Sequence, residues 1–213
     1  MNNRLRLFLI LLGAVLVAAT FAFPLWRPLL IREVVDERFP GLSAEQQLGF
    51  LALPTEQQGA FYELMSTADA TMVVGLAQAA VVPDIISPTE EQPTPQMTNP
   101  VEVASGIFTE IDPIHKGEGN VSLYQLPDNS RLLRFEDFRV TNGPDLRVIL
   151  TRNPDPRTTE EVGTDYIELG PLKGNVGNQN YEVPANVDLN TYRGVVIYSF
   201  PFRAVFSTAE LFR

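Results

Sequence analysis

Residues 131–151 read RLLRFEDFRVTNGPDLRVILT, and how this stretch alternates decides the fold. Two short runs of branched and aromatic residues flank Thr-Asn-Gly-Pro-Asp, a cluster of turn formers, which marks a strand–turn–strand unit. The first run carries a defect. Leu133 and Phe135 share one face, but strict alternation sends Phe138 and Val140 to the other. A β-bulge at Glu136–Asp137 returns all four to a common inward direction, because one extra residue inverts the alternation.

Outward from this unit the same grammar repeats. GIFTEI (106–111), NVSLYQL (120–126), YIELG (166–170), NYEV (180–183), GVVIYS (194–199) and FRAVF (202–206) are strand candidates, separated by PDNS, NPDP and PLKGNVGNQ. Eight short strands at this spacing predict an all-β sandwich or barrel, and we take the antiparallel β-sandwich as the expectation. In the last hairpin Val195, Ile197 and Ser199 lie on one face and Val196, Tyr198 and Phe200 on the other. A strand apolar on both faces is covered on both. Pro201 interrupts the run and belongs at a turn or edge. The aromatic density there (Tyr192, Tyr198, Phe200, Phe202, Phe206, Phe212) fits a sandwich core or the wall of an apolar pocket.

Composition narrows the chemistry. The 213 residues carry a net charge of -10, which argues against a nucleic-acid partner, since phosphate contacts need Lys and Arg. There is no cysteine, so disulfides, thiol nucleophiles, Fe–S clusters and covalent c-type haem are excluded. A single histidine, His115, leaves no two-histidine metal site within one chain. The adjacent acids Glu136–Asp137 and Glu160–Glu161 point opposite ways in an extended strand and make no hydrolytic pair. No conventional enzymatic residue set emerges, and the chain is read as non-enzymatic.

The N-terminus, MNNRLRLFLILLGAVLVAATFAFPLW, places Arg4 and Arg6 before an uncharged run from Leu7 to Trp26. Its length predicts a transmembrane signal anchor over 1–30. Small-residue sites at Val17–Ala19 and Thr20–Ala22 fit a cleaved signal peptide instead. Either reading places the remainder outside the cytoplasm, membrane-anchored or secreted. Residues 31–83 form a helical spacer of two or three short helices, with capping boxes at Ser43/Gln46 and Thr55/Gln58 and a break at Pro54. Residues 84–104, with prolines at 88, 93, 95 and 100, form an extended linker. The sandwich occupies 105–213.

Within 106–211, the strings GIF, HKGEG, LLRFEDFRVTNGPDLRVILT, IELGPLKGNVGNQNYEVP and YRGVVIYSFPFRAVFSTAEL follow one another in an order and spacing that resemble the DM-thirteen domain family. The resemblance implies a DOMON-like ectodomain with a role in electron transfer. That family's final strand typically reads Val-Val-Ile-Trp-Cys. Here Tyr198 stands at the tryptophan position and Ser199 at the cysteine position, and a hydroxyl cannot carry thiol redox chemistry.

Five residues are therefore candidates for ligand binding. His115, in the turn-rich DPIHKGEG, is the only metal-ligand candidate, and its imidazole suits haem iron or copper. Asn142 and Asp145 could orient a polar ligand or a cation, or else serve the turn. Tyr198 and Ser199 mark the departure from the family. The glycines of PLKGNVGNQNY lack the spacing and following helix of a phosphate loop. The expectation is a membrane-anchored extracytoplasmic module that binds an envelope protein, a glycan or another ligand without enzymatic chemistry. The reading implied by the resemblance is a redox domain with non-covalent haem or metal.

Overall fold

The computed structural model describes residues 2–21, 38–83 and 101–213. It divides into two units, Met1–Arg38 and Phe39–Arg213. In the first, helix α1 spans Asn3–Phe21. Leu7, Phe8, Leu9, Ile10, Leu11 and Leu12 are all exposed on consecutive positions, so the helix is apolar on every side. The expected membrane span is corrected here: no helix among the described residues is long and apolar enough to cross a membrane. The uncharged part of α1, Leu7–Phe21, rises only about 22 Å at about 1.5 Å per residue. A hydrocarbon core is about 30 Å thick. Residues 22–26 of the expected span, and most of the 84–104 linker, lie outside the described residues.

The second unit begins with three helices, α2 (Ala44–Ala52), α3 (Thr55–Thr67) and α4 (Ala70–Ala80). The capping box at Ser43 is present, with the Gln46 N–H donating to Ser43 Oγ and the Ser43 N–H to Gln46 Oε1. The one expected at Thr55 is not. Pro54 takes the cap position of α3 without a side-chain bond. Gln58 instead reaches back, its Nε2 donating to the carbonyls of Leu51 and Leu53 at the end of α2. Asp69 caps α4 by accepting from the Thr71 and Met72 N–H groups. Phe39, Phe50 and Phe61 are buried together, Phe39 and Phe50 with ring centroids 4.6 Å apart. Each such ring contributes roughly 1.5–3 kcal/mol by leaving water.

Nine strands follow: β1 (Val101–Ile107), β2 (Thr109–Glu110), β3 (Gly117–Gln125), β4 (Arg131–Val140), β5 (Leu146–Thr151), β6 (Tyr166–Pro171), β7 (Gln179–Val183), β8 (Gly194–Ser199) and β9 (Ala204–Glu210). A one-turn helix, α5 (Thr159–Val162), precedes β6. The strands form two antiparallel sheets, ordered β1-β3-β4-β7 and β2-β9-β8-β5-β6. The mainly-β, two-sheet expectation holds. Strand β1 starts at Val101, inside the stretch read as linker. GIFTEI divides between the two sheets at Phe108, which is buried against Phe135 at 4.8 Å.

The bulge expected in β4 is present, one residue further on, at Asp137–Phe138 rather than Glu136–Asp137. Glu118 pairs with Arg139 and Asn120 with Glu136, so Gly119 alone opposes Asp137 and Phe138. Asp137 takes φ 51 and Gly119 φ 115. Leu133, Phe135, Phe138 and Val140 are in consequence all buried in one core. Strand β8 is buried at every position. Val195 and Ile197 face that same core, while Val196 and Tyr198 join Ile149, Val162 and Val205 on the outer face under α5.

The helices pack onto the sandwich as part of the same core rather than standing apart as a spacer. The contact runs through Gly75. A Cβ there would lie 2.7 Å from Cζ of Phe202, so the missing side chain lets α4 lie against that ring at the β8–β9 turn. At the far end of α4, Asn142 Nδ2 donates to the Val82 carbonyl at 2.8 Å.

Candidate functional site

Phe206 organises the region that holds most of the sequence-derived candidates. The β8–β9 register shifts between Ile197, opposite Ser207, and Tyr198, opposite Val205, leaving Phe206 without a partner across the ladder. This bulge turns Phe206 into the core while Val205 remains on the outer face. The Phe206 ring meets the His115 ring edge-on with centroids 4.5 Å apart. It also lies against Gly143, where a Cβ would stand 2.4 Å from Cζ. The His115 loop and the Asn142–Asp145 turn thus pack on one aromatic ring.

The turn is committed to internal bonds. Asn142 ties it to the end of α4, Asp145 Oδ1 accepts from Arg147 Nε at 2.8 Å, and Ser199 Oγ donates to the Pro144 carbonyl at 2.7 Å. Ser199 is fully buried, and its hydroxyl is spent on the turn. Tyr198 points to the opposite face of the sheet, its hydroxyl 3.3 Å from Thr159 Oγ1. The neighbouring Tyr198 and Ser199 therefore serve two separate layers.

His115 differs from the others. It is 7% exposed. Asp112 holds it: Oδ1 accepts from the backbone N–H groups of Ile114 and His115, and Oδ2 accepts from Nδ1 at 2.7 Å. Because a carboxylate can only accept, Nδ1 carries a proton, and in the neutral ring Nε2 is the atom with the lone pair. That Nε2 is buried and has no hydrogen-bond partner among the described residues. Burial alone would raise the Asp112 carboxyl, but the bond and charge of the His115 ring, with the two backbone N–H groups, bring it below the usual value.

His115 lines a cleft of about 450 Å³ between the helices and the sandwich. One wall is the loop 112–115 with Phe202, Arg203 and Ala204. The other is α3 and α4, through Leu64, Met72 and Leu76 among others. A larger groove of about 770 Å³ runs over β1 and β3 and carries the carboxylates Glu102, Glu136, Asp155 and Glu210. Two of these are already paired, Glu136 with Arg134 and Glu210 with Arg193. Among the described residues no three histidine or acidic side chains converge as a metal-binding group. The His115 cleft is the better candidate, since it alone of the two holds a buried polar atom in want of a partner.

A family model described as Electron transfer DM13 matches residues 108–211, the run from Phe108 at the sheet crossing through β9 to Leu211. This segment is a DM13 domain. No curated protein and no solved structure matches the chain. The DM13 match leaves out β1 and the helices α1 to α4, so one wall of the His115 cleft belongs to the DM13 domain and the other does not. Sequence reading singled out His115 but passed over Asp112, three residues earlier, and Met72. The Asp-Pro-Ile-His spacing is a visible signal for the first, since an Asp that caps its own turn can also reach the side chain three residues on. Nothing local signals Met72, which reaches the cleft only through tertiary packing.

Proposed function

We propose that the DM13 domain of this chain is an electron-transfer module that holds a redox-active metal centre non-covalently, with His115 as its protein ligand. The observation that carries this reading is the state of the His115 ring: Nδ1 is tied to a carboxylate, Nε2 is buried and unpartnered, and the residue lines a cleft. A carboxylate behind the ring is how metal-ligating histidines are oriented and made more basic. The centres that suit one imidazole without cysteine are haem iron and copper, and either would supply one-electron chemistry when bound. The cleft lies in the size range of cofactor sites, about 300–1,000 Å³. Ser199 takes no part, since its hydroxyl is donated to Pro144. Export of the module to the outside of the cytoplasm completes the proposal.

The test is the ultraviolet–visible spectrum and metal content of the whole chain, purified from cells supplied with haem and copper. A Soret band or stoichiometric copper that His115→Ala abolishes supports the reading. Colourless, metal-free protein overturns it. The second reading would then stand: a non-enzymatic module that binds an envelope protein or a glycan.

A further inference from the structure

The donors that face the cleft narrow the choice of centre. Asp112 is committed to its own loop, with Oδ1 accepting from two backbone N–H groups and Oδ2 from the His115 ring. Glu63, on the helical wall, is exposed at the rim. Thr67 and Arg203, which also line the cleft, are exposed as Glu63 is, and the less exposed donors left to a ligand are Nε2 of His115 and, on the facing helices, the thioether of the half-buried Met72. One neutral nitrogen and one neutral sulfur in apolar surroundings make a poor site for a hard dication, which wants several oxygens. A soft thioether beside an imidazole selects monovalent copper. A single positive charge also costs less to hold in an apolar cleft than two, and the Asp112 carboxylate behind the ring offsets part of it.

We propose that His115 Nε2 and Met72 Sδ together bind one Cu(I) ion across the cleft, so that the DM13 domain and the α4 helix outside it each contribute a ligand. This rests on the reading of His115 given above and names the metal. It also explains why the cleft needs the helical layer: α4 is held on the sandwich by the Gly75–Phe202 contact, and Met72 lies one turn before Gly75.

The experiment is anaerobic titration of the full chain with Cu(I) against a chromophoric Cu(I) chelator, followed by the Met methyl resonances. One equivalent should bind and shift the Met72 methyl. Met72→Leu keeps volume and apolar character, so the fold should survive. That variant should lose at least the about 10–100-fold in affinity that even an outer-shell partner's loss costs. His115→Ala should abolish binding, and Met65→Leu, a partly buried methionine that does not line the cleft, should leave it unchanged. Cu(I) held equally well by Met72→Leu overturns the shared site but leaves His115 as a ligand. A His115-dependent Soret band with no Cu(I) uptake overturns copper and keeps the metal-centre reading. Binding of neither haem nor Cu(I) removes both.

Discussion

At the scale of single residues, the Asp112–His115 pair and Ser199 show two different uses of a buried polar group. The Asp112 carboxyl is held below its ordinary value, so its ionised form stabilises the fold above about pH 3.9 and that contribution is lost as pH falls through the folded value. Asp112→Asn removes this dependence. Urea midpoints of the two proteins should differ by a steady amount well above about pH 3.9 and converge as pH falls below it. A difference that grows as pH falls would refute the assignment. Ser199 is a structural hydrogen bond at the family's cysteine position. Ser199→Ala leaves the half-buried Pro144 carbonyl without its donor and should cost about 0.5–1.5 kcal/mol in chemical denaturation, with no change in cofactor or metal uptake.

At the scale of elements, the bulges matter most, because each reverses which side chains face inward. Gly119 sits opposite the β4 bulge at φ 115, and a Cβ there would lie 2.7 Å from the Phe138 Cα and 2.8 Å from the Asp137 carbonyl oxygen. These are backbone atoms that cannot swing aside. Gly119→Ala should therefore destabilise by about 1–3 kcal/mol through backbone strain alone, and more if the β3–β4 ladder opens. Urea denaturation measures it, and an unchanged midpoint would mean that the bulge is softer than its geometry implies. The second bulge, at Phe206 in β9, has a functional consequence, since it turns the ring that supports His115. Phe206→Leu should keep the sheet paired but loosen the His115 ring, seen as a change in its imidazole nitrogen resonances.

At the scale of the whole molecule, the helices and the sandwich share one core from Phe39 to Arg213. One core predicts one transition. Amides of α3 and α4 should exchange with a free energy close to that of β8, and loss of helix and sheet signals on heating should coincide. Phe202→Ala removes the ring that α4 rests on and should lower helix protection first while the sheet core stays protected. Helices that exchange far faster than β8 in the unmodified chain would show that the layer is only loosely docked.

How much of this was legible in the sequence follows from how local each determinant is. Most of the strands, a bulge in β4 and the cap at Ser43 depend on alternation and on hydrogen bonds a few residues apart, so they were legible in residue order, as were the strings that resemble the family matched over 108–211. The start of β1 at Val101 and the division of GIFTEI between two sheets were not. The lone histidine and the missing cysteine were equally plain, and with them the narrow range of chemistry. The second cap was misread because Pro54 took the position that Thr55 needed, with Gln58 drawn back to α2 by carbonyls the local pattern does not show. Only the tertiary structure decided that Ser199 serves the Pro144 turn, that His115 is buried against Phe206, and that α4 brings Met72 to the same cleft. Those facts are set by contacts between residues tens of positions apart, made when burial of Phe202 and Phe206 closes the helices onto the sheet.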